Sequence, residues 1–227
     1  MPAFTGLKTV MKKKFAYIRT WSNPPIANRV AEMLEDHFPE YEMEVITIID
    51  AVKERKLVSV LGVFNTLQTY GWDLLARRQD LKKYFTYIPY FYHWVQRYLN
   101  NYLSREDYAF TFQLQSLFDA RIPGVPHFVY TDHTHLANLY YEDGDWKWLA
   151  SQTWIDLERH IYQNADLIFT RSSNITQSLL EQYQQPEEKI RCVFVGSNVP
   201  SIGPADDPDR YQRQEILFVG TDWERKG

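Results

Sequence analysis

The alternation of short apolar runs with helical stretches is the feature that most constrains the fold of this chain. Runs rich in β-branched and aromatic residues predict strands at residues 14–20, 43–49, 108–114, 127–130, 167–170 and 190–195. Helical spacing of apolar residues predicts helices at 27–37, 148–163 and 172–183, and two or three helices within 53–102, broken near Gly71 and Pro89. We therefore predict an α/β fold, a mostly parallel sheet with helices on both faces.

Charge and composition exclude several classes of protein. The 227 residues carry a net charge of −4, so no overall basic field attracts nucleic acid. No apolar run approaches the roughly 18 residues that cross a bilayer, and we expect no signal peptide. The single Cys192 fits a reducing compartment. We expect a cytoplasmic protein, and the basic Lys12–Lys14 cluster is compatible with weak peripheral contact at the inner face of a membrane.

A change of composition near residue 199 predicts a domain boundary. Residues 199–214 hold three prolines, one glycine and five charged residues, which is typical of a linker. The apolar run ILFVG then begins a new strand-like segment. We expect a first domain at residues 1–198, an interdomain linker at 199–214 and the start of a second, truncated domain at 215–227.

Polar residues that follow the predicted strands are the candidates for a site, because ligands of open α/β sheets bind beyond the carboxyl ends of strands. Asp132, His133 and His135 follow the strand HFVY. They predict a polar site in which a histidine contacts a substrate; the alternative is that the histidines cap the next element. A zinc site needs three or four ligands at suitable spacing, so we expect no metal.

Other polar and aromatic segments have more ordinary interpretations. Ser172, with its neighbours Arg171 and Ser173, is expected to cap a helix, and Glu158 is expected on a solvated helix face beside Arg159 and His160. The aromatic stretch 82–103 is predicted to supply core or the lining of a groove for a sugar ring or an apolar acceptor; contact with a membrane is the alternative. The loop after the first strand, WSNPPIANR, has no glycine, which disfavours an NAD or FAD oxidoreductase.

Three segments in series resemble glycosyltransferase family 4, the group 1 glycosyltransferases. They are PGVPHFVYTDHTHLANLYY, then ERHIYQNADLIFTRSSNITQSLLEQYQQPEEKIRCVFVGSNV, then ILFVGTDWERKG, and together they cover roughly residues 108–227. The resemblance implies the GT-B architecture, two Rossmann-like domains that face each other across a cleft. The N-terminal domain holds the acceptor, and the C-terminal domain holds the nucleotide-sugar donor.

The resemblance also implies roles for individual residues. His133 matches the catalytic histidine near the transferred sugar, Gly220 matches the glycine that ends the first strand of the donor domain, and Arg225 and Lys226 match the basic pair that neutralises the donor pyrophosphate. Asp132, His135 and Ser172 are candidates on the acceptor side. The implied reaction transfers a sugar with retention of configuration, from a nucleotide sugar to a glycan, lipid or small molecule, without a bound metal or other cofactor.

Two functional hypotheses follow. The first is the acceptor half of a retaining glycosyltransferase, inactive without the rest of the donor domain, because the glutamates that grip the donor in this family would lie beyond the Arg-Lys-Gly. The second is a stand-alone binding module, or the non-catalytic half of a split glycosyltransferase, that recognises an acceptor or a partner subunit.

Overall fold

The computed structural model describes residues 12–23, 25–75, 81–104, 107–141 and 149–196, apart from the side chains of residues 82 and 83. All of them belong to one compact unit that ends at Gly196. The predicted boundary at residue 198, the linker at 199–214, the segment 215–227 and the donor-side residues Gly220, Arg225 and Lys226 lie outside the described residues.

Six strands and seven α-helices make up the described part of the chain. The strands are β1 (Lys14–Arg19), β2 (Glu42–Thr47), β3 (Tyr108–Leu114), β4 (His127–Thr131), β5 (Leu167–Thr170) and β6 (Ile190–Cys192). The helices are α1 (Pro25–His37), α2 (Ile48–Lys53), α3 (Lys56–Leu75), α4 (Leu81–Tyr84), α5 (Pro89–Leu103), α6 (Gln152–Asn164) and α7 (Ser173–Glu181). Two short 3-10 turns, His135–Tyr140 and Glu187–Lys189, complete the described elements.

The strands form one six-stranded sheet in the order β2-β1-β3-β4-β5-β6, and every neighbouring pair is parallel. This confirms the predicted α/β fold and gives it a Rossmann-like, parallel sheet. The chain steps outward from β1 to β2 and then returns past β1 to β3, so the strand order reverses between β1 and β3. Because parallel crossovers are right-handed, this reversal places α1 on one face and the later helices on the other.

Each face of the sheet carries its own hydrophobic core. The larger core lies between the sheet and α2–α7 and includes the side chains of Ala16 and Ile18 from β1. The smaller core lies beneath α1 and includes Phe15 and Tyr17 from the same strand. All four of these side chains are fully buried, so the apolar run of β1 reflects a strand covered on both faces.

Three predicted boundaries are wrong, each for a local reason. Helix α3 continues through Gly71, because a glycine inside a helix costs only about 1 kcal/mol and packing overrides it. Strand β2 ends at Thr47, since the buried Ile48 already belongs to α2. Strand β6 ends at Cys192, and Phe194 adopts a left-handed backbone (φ 58°) that a strand does not allow.

Helix α3 buries small and polar residues and exposes large apolar ones, which is the reverse of an ordinary surface helix. Its fully buried residues are the small or polar Gly62, Thr66 and Tyr70. Thr66 Oγ1 donates to the carbonyl of Gly62 (2.8 Å), and Tyr70 Oη donates to the carbonyl of Tyr87 (2.7 Å), so the buried polar groups are satisfied. Among the described residues, no helix is both long and apolar enough to cross a membrane.

The two glycines of α3 differ in their surroundings, and alanine substitutions test this packing. A Cβ atom at Gly62 would lie 2.4 Å from Cε2 of Phe85, whereas a Cβ at Gly71 would meet nothing within 4 Å. We expect Gly71→Ala to raise the free energy of unfolding by about 0.5–1 kcal/mol through helix propensity. We expect Gly62→Ala to lower it by about 1 kcal/mol, because Phe85 must move. Urea denaturation measures both, and equal gains in the two variants would contradict the described contact.

Candidate functional site

The carboxyl ends of β4 and β5 bring a polar cluster to one edge of the sheet. Thr131 and Thr170, the last residues of these strands, are paired in register, so the residues that follow them are neighbours. Asp132 and His133 follow β4, and Arg171 follows β5. Arg171, which the sequence associates only with helix capping, therefore joins the site that the sequence predicts after HFVY.

His133 is held in a defined orientation. Its ring Nε2 accepts a hydrogen bond from the side-chain amide of Asn138 (3.1 Å), which places the proton of a neutral imidazole on Nδ1. Its carbonyl accepts a hydrogen bond from Thr131 Oγ1 (2.6 Å), which tightens the turn after β4. The residue is half-buried. Both its backbone and its ring are thus fixed by contacts within the loop, as a residue that positions a substrate requires.

Asp132 and Arg171 form an ion pair across the ends of the two strands. Arg171 Nη1 donates to Asp132 Oδ2 at 2.8 Å; the side chain of Arg171 is 18% exposed and that of Asp132 is 44% exposed. The guanidinium also lies over the ring of Tyr130, 6.0 Å from its centroid. Its Nε is buried and has no hydrogen-bond partner among the described residues. The edge of the sheet therefore offers a partly buried cation beside a carboxylate.

Glu158 is the buried centre from which this loop is held. It lies on α6, is 3% exposed, and accepts hydrogen bonds from Tyr162 Oη (3.1 Å), from Tyr183 Oη and from Ser116 Oγ (3.3 Å). The backbone N–H of His135 donates to both of its carboxylate oxygens at 3.2 Å. The expectation that Glu158 lies on a solvated face is wrong, because position 158 belongs to the inward stripe of α6 with Trp154, Ile155, Ile161 and Tyr162.

Burial dominates the ionisation of this cluster. Removal from water raises the pKa of Glu158 from 4.5 to about 7, and the four kinds of donor around the carboxylate only partly oppose this effect. Burial, followed by the negative charge of Glu158, raises the pKa of Tyr162 and of Tyr183 well above the ordinary value of 10. Both phenols therefore keep their protons and remain donors to the carboxylate.

Further hydrogen bonds attach the segment after β4 to α7. Thr134 Oγ1 and Ser178 Oγ are 2.6 Å apart, with both groups buried. The backbone N–H of Leu136 donates to Tyr183 Oη (3.1 Å), and its carbonyl accepts from the side-chain amide of Gln182 (3.1 Å). A loop whose backbone is bound on successive residues is rigid, so the loop that carries His133 is part of the scaffold.

Two acceptor-side candidates have structural roles instead. His135 is 4% exposed, and its Nε2 accepts the backbone N–H of Ala150 at 2.5 Å. Its ring lies 5.0 Å from that of Tyr87, so it faces the core. Ser172 caps α7, because its Oγ accepts from the backbone N–H of Ile175 at 3.4 Å. The capping alternative for Ser172 is therefore the one that the structure supports, and the site contracts to Asp132, His133 and Arg171.

The described residues contain no group of three or more His, Cys, Asp and Glu side chains that could hold a metal ion. Asp132 is engaged with Arg171, while His133 and His135 make hydrogen bonds through Nε2. The described side chains at this edge are a carboxylate, an imidazole and a guanidinium.

A second feature is an open groove of about 600 Å³ between helix α5 and the residues that connect α2 to α3. One side of α5 lies in the core, and three aromatic side chains of its other side line the groove, as one of the alternatives for residues 82–103 predicts. Trp94 and Tyr98 stack with centroids 5.4 Å apart, and the Arg55 guanidinium lies 4.9 Å from the centroid of Tyr98. The groove is lined by Glu54, Arg55, Trp94, Arg97, Tyr98, Asn101 and Tyr102.

No protein-family model matches this chain, and no curated protein sequence matches it significantly.

The buried carboxyl of Glu158 predicts a specific dependence of stability on pH. Because its folded pKa of about 7 exceeds the ordinary 4.5, the folded protein keeps a proton that the unfolded chain releases as pH rises through this window. The contribution to the free energy of unfolding therefore falls, by about 3 kcal/mol, between pH 4.5 and 7. His127 acts in the opposite direction, since burial lowers its pKa to about 4 and stability is lost as pH falls from 6.5 towards 4.

Comparison with Glu158→Gln isolates the carboxyl from His127. We expect the free energy of unfolding of the wild type, relative to that of this variant, to fall by about 3 kcal/mol between pH 4.5 and pH 7.5. Urea denaturation at several pH values measures it. Glu187→Gln, at an exposed glutamate, is the matched control and should show a constant difference. A pH-independent difference for Glu158→Gln would refute the buried ionisation.

Proposed function

We propose that this protein acts in a retaining glycosyltransferase of the GT-B type, as the domain that presents the acceptor to a nucleotide-sugar donor. The observation that carries the proposal is the position of His133, on a rigid turn directly beyond the carboxyl end of β4 in an all-parallel sheet. This is the place where ligands of such sheets bind, and it is also the residue that matches the family's catalytic histidine.

The proposed chemistry uses three side chains. The imidazole of His133 hydrogen-bonds a hydroxyl group of the sugar being transferred and holds the sugar in position. The guanidinium of Arg171, whose side chain is 18% exposed at the edge of the sheet, binds an oxygen of the acceptor or of the sugar. Asp132 holds the guanidinium of Arg171 through the 2.8 Å ion pair. Gly220, Arg225 and Lys226 are proposed to contact the donor pyrophosphate, whose negative charge grows as it leaves.

Glu158 supports this site without touching substrate. Its carboxylate binds the backbone N–H of His135, two residues beyond His133, and it accepts from Tyr162, whose Oη also lies 3.5 Å from the carbonyl of His133. The proposed role of this buried group is to fix the position of the catalytic imidazole.

The test of this function is turnover of nucleotide sugars by the protein produced from its natural gene. Release of nucleoside diphosphate from UDP-, GDP- and ADP-sugars is measured with a mixture of oligosaccharides and lipids as acceptors. We expect His133→Ala to lower kcat about 100-fold or more, because a positioned imidazole contributes on that order. The thermal unfolding midpoint should change little, since the ring is only half-buried.

His160→Ala is the matched control, because His160 is an exposed histidine of α6 whose Nδ1 contacts the carbonyl of Asp156 in its own helix. Its turnover should equal that of the wild type. Turnover of His133→Ala within twofold of the wild type would reject the role of His133. Failure of the wild type to release nucleoside diphosphate from any of the sugars would reject the glycosyltransferase.

A second candidate function, a carbohydrate-binding module, is favoured by the groove at Trp94 and Tyr98. Stacked aromatic rings beside arginine, glutamate and asparagine side chains offer an apolar platform with polar groups at its margin, which suits the two-sided polarity of a sugar ring. Calorimetric titration with a panel of oligosaccharides should detect binding. Tyr98→Ala should weaken that binding about tenfold, whereas Tyr141→Ala, at an exposed tyrosine outside the groove, should leave it unchanged. Equal affinities in both variants would contradict this candidate.

A further inference from the structure

Helix α3 exposes the largest set of apolar side chains on any one element of the described chain. Eight of its large hydrophobic residues are 36–80% exposed, with Trp72 and Leu75 the most exposed. Surface-exposed hydrophobic residues scattered singly need no explanation, but a contiguous set on one helix marks an interaction surface. We call this set the α3 face; it consists of Leu57, Val60, Leu61, Val63, Phe64, Leu67, Trp72 and Leu75.

The α3 face does not result from a poorly seated helix. Its opposite side is anchored by Gly62, Thr66 and Tyr70, which are all buried. The side chain of Thr66 is 0% exposed and that of Tyr70 is 5% exposed. Tyr70 Oη donates to the carbonyl of Tyr87 and accepts the backbone N–H of Ser151 at 3.1 Å, which ties α3 to α6. The helix therefore cannot turn its apolar residues inward without breaking buried hydrogen bonds, and these residues stay available to a partner.

The distribution of charge indicates what that partner is. No charged residue occurs between Leu57 and Trp72, while basic residues are concentrated before and after the helix. Residues 50–83 contain seven lysines and arginines and four acidic residues, in a chain whose net charge is −4. Apolar residues flanked by basic residues are the pattern of helices that lie in the surface of an anionic bilayer. The basic residues are Lys53, Arg55, Lys56, Arg77, Arg78, Lys82 and Lys83.

We propose that the α3 face docks the protein on the surface of an anionic lipid bilayer. The 20-residue helix, about 30 Å long, lies flat in the interface with Phe64 and Trp72 among the acyl chains. The basic residues at its amino-terminal end, Lys53 and Lys56, lie near the headgroups. The helix does not span the bilayer, in keeping with the hydropathy of the described helices. The proposed membrane-binding surface is not the one expected from the sequence, which was Lys12–Lys14 or the aromatic stretch 82–103. Most of the apolar residues of α5, which lies in that stretch, are buried.

The experiment is vesicle co-sedimentation of the full chain, with vesicles of phosphatidylcholine alone and of phosphatidylcholine with phosphatidylglycerol at about 3:1. We expect binding to the anionic vesicles that weakens as salt is raised, because the attraction of basic groups to the surface is screened. Leu57→Glu and Phe64→Glu should each lower the partition coefficient at least tenfold. Both sites are more than half exposed, so neither change should alter the thermal unfolding midpoint.

Met33→Glu is the matched control, because it adds the same charge at an exposed apolar residue of α1, outside the α3 face. It should bind vesicles as the wild type does. Equal binding by Met33→Glu and Phe64→Glu would overturn the assignment to α3. Absence of vesicle binding, together with a dimer in sedimentation analysis that Phe64→Glu dissociates, would overturn the proposal in favour of a second copy of this chain. The measurement needs no turnover, so it is independent of the proposed enzymatic function.

Discussion

The buried carboxylate of Glu158 is the interaction on which the geometry of the candidate site depends. It accepts hydrogen bonds from a hydroxyl after β3, from a backbone N–H after β4, from a tyrosine of its own helix and from a tyrosine beyond α7. A charge in this position is costly, which is why its pKa is raised to about 7, and it is retained where several donors converge. Removing it would leave those donors unsatisfied in the core, so four separate segments share one constraint.

The consequence is a rigid edge of the sheet with a small polar cluster on it. Because the segment after β4 is bound through its backbone to α6 and to a tyrosine beyond α7, His133 is presented on a scaffold and not on a free loop. Arg171 reaches the same edge from β5, through the register of two neighbouring strands. A binding or catalytic site requires side chains that are held in place by such a buried hydrogen-bond network.

The α3 face stands apart from this site in its physical basis. The site depends on polar groups gathered inside the protein, whereas α3 keeps its small and polar residues inside and its apolar residues outside. An amphipathic pattern read from the sequence identifies the two sides of such a helix but does not say which side is covered. Only the packing of Gly62 against Phe85 and the hydrogen bonds of Tyr70 decide that the apolar side is the exposed one.

The sequence by itself determined the fold class and the position of most elements, because strand and helix periodicities are local properties of the chain. It also identified His133 as a residue beyond a strand end, which needs only the order of residues. The tertiary structure decided the order of the strands, the pairing of Asp132 with Arg171, and the burial of Glu158 and His135. These depend on residues far apart in the chain that meet in space, for example His135 with Glu158, 23 positions apart, and Asp132 with Arg171, 39 positions apart. The position of Glu158 on the apolar stripe of α6 indicated that it could be buried. A charged residue is nevertheless predicted to be solvated until the distant donors that surround it are known.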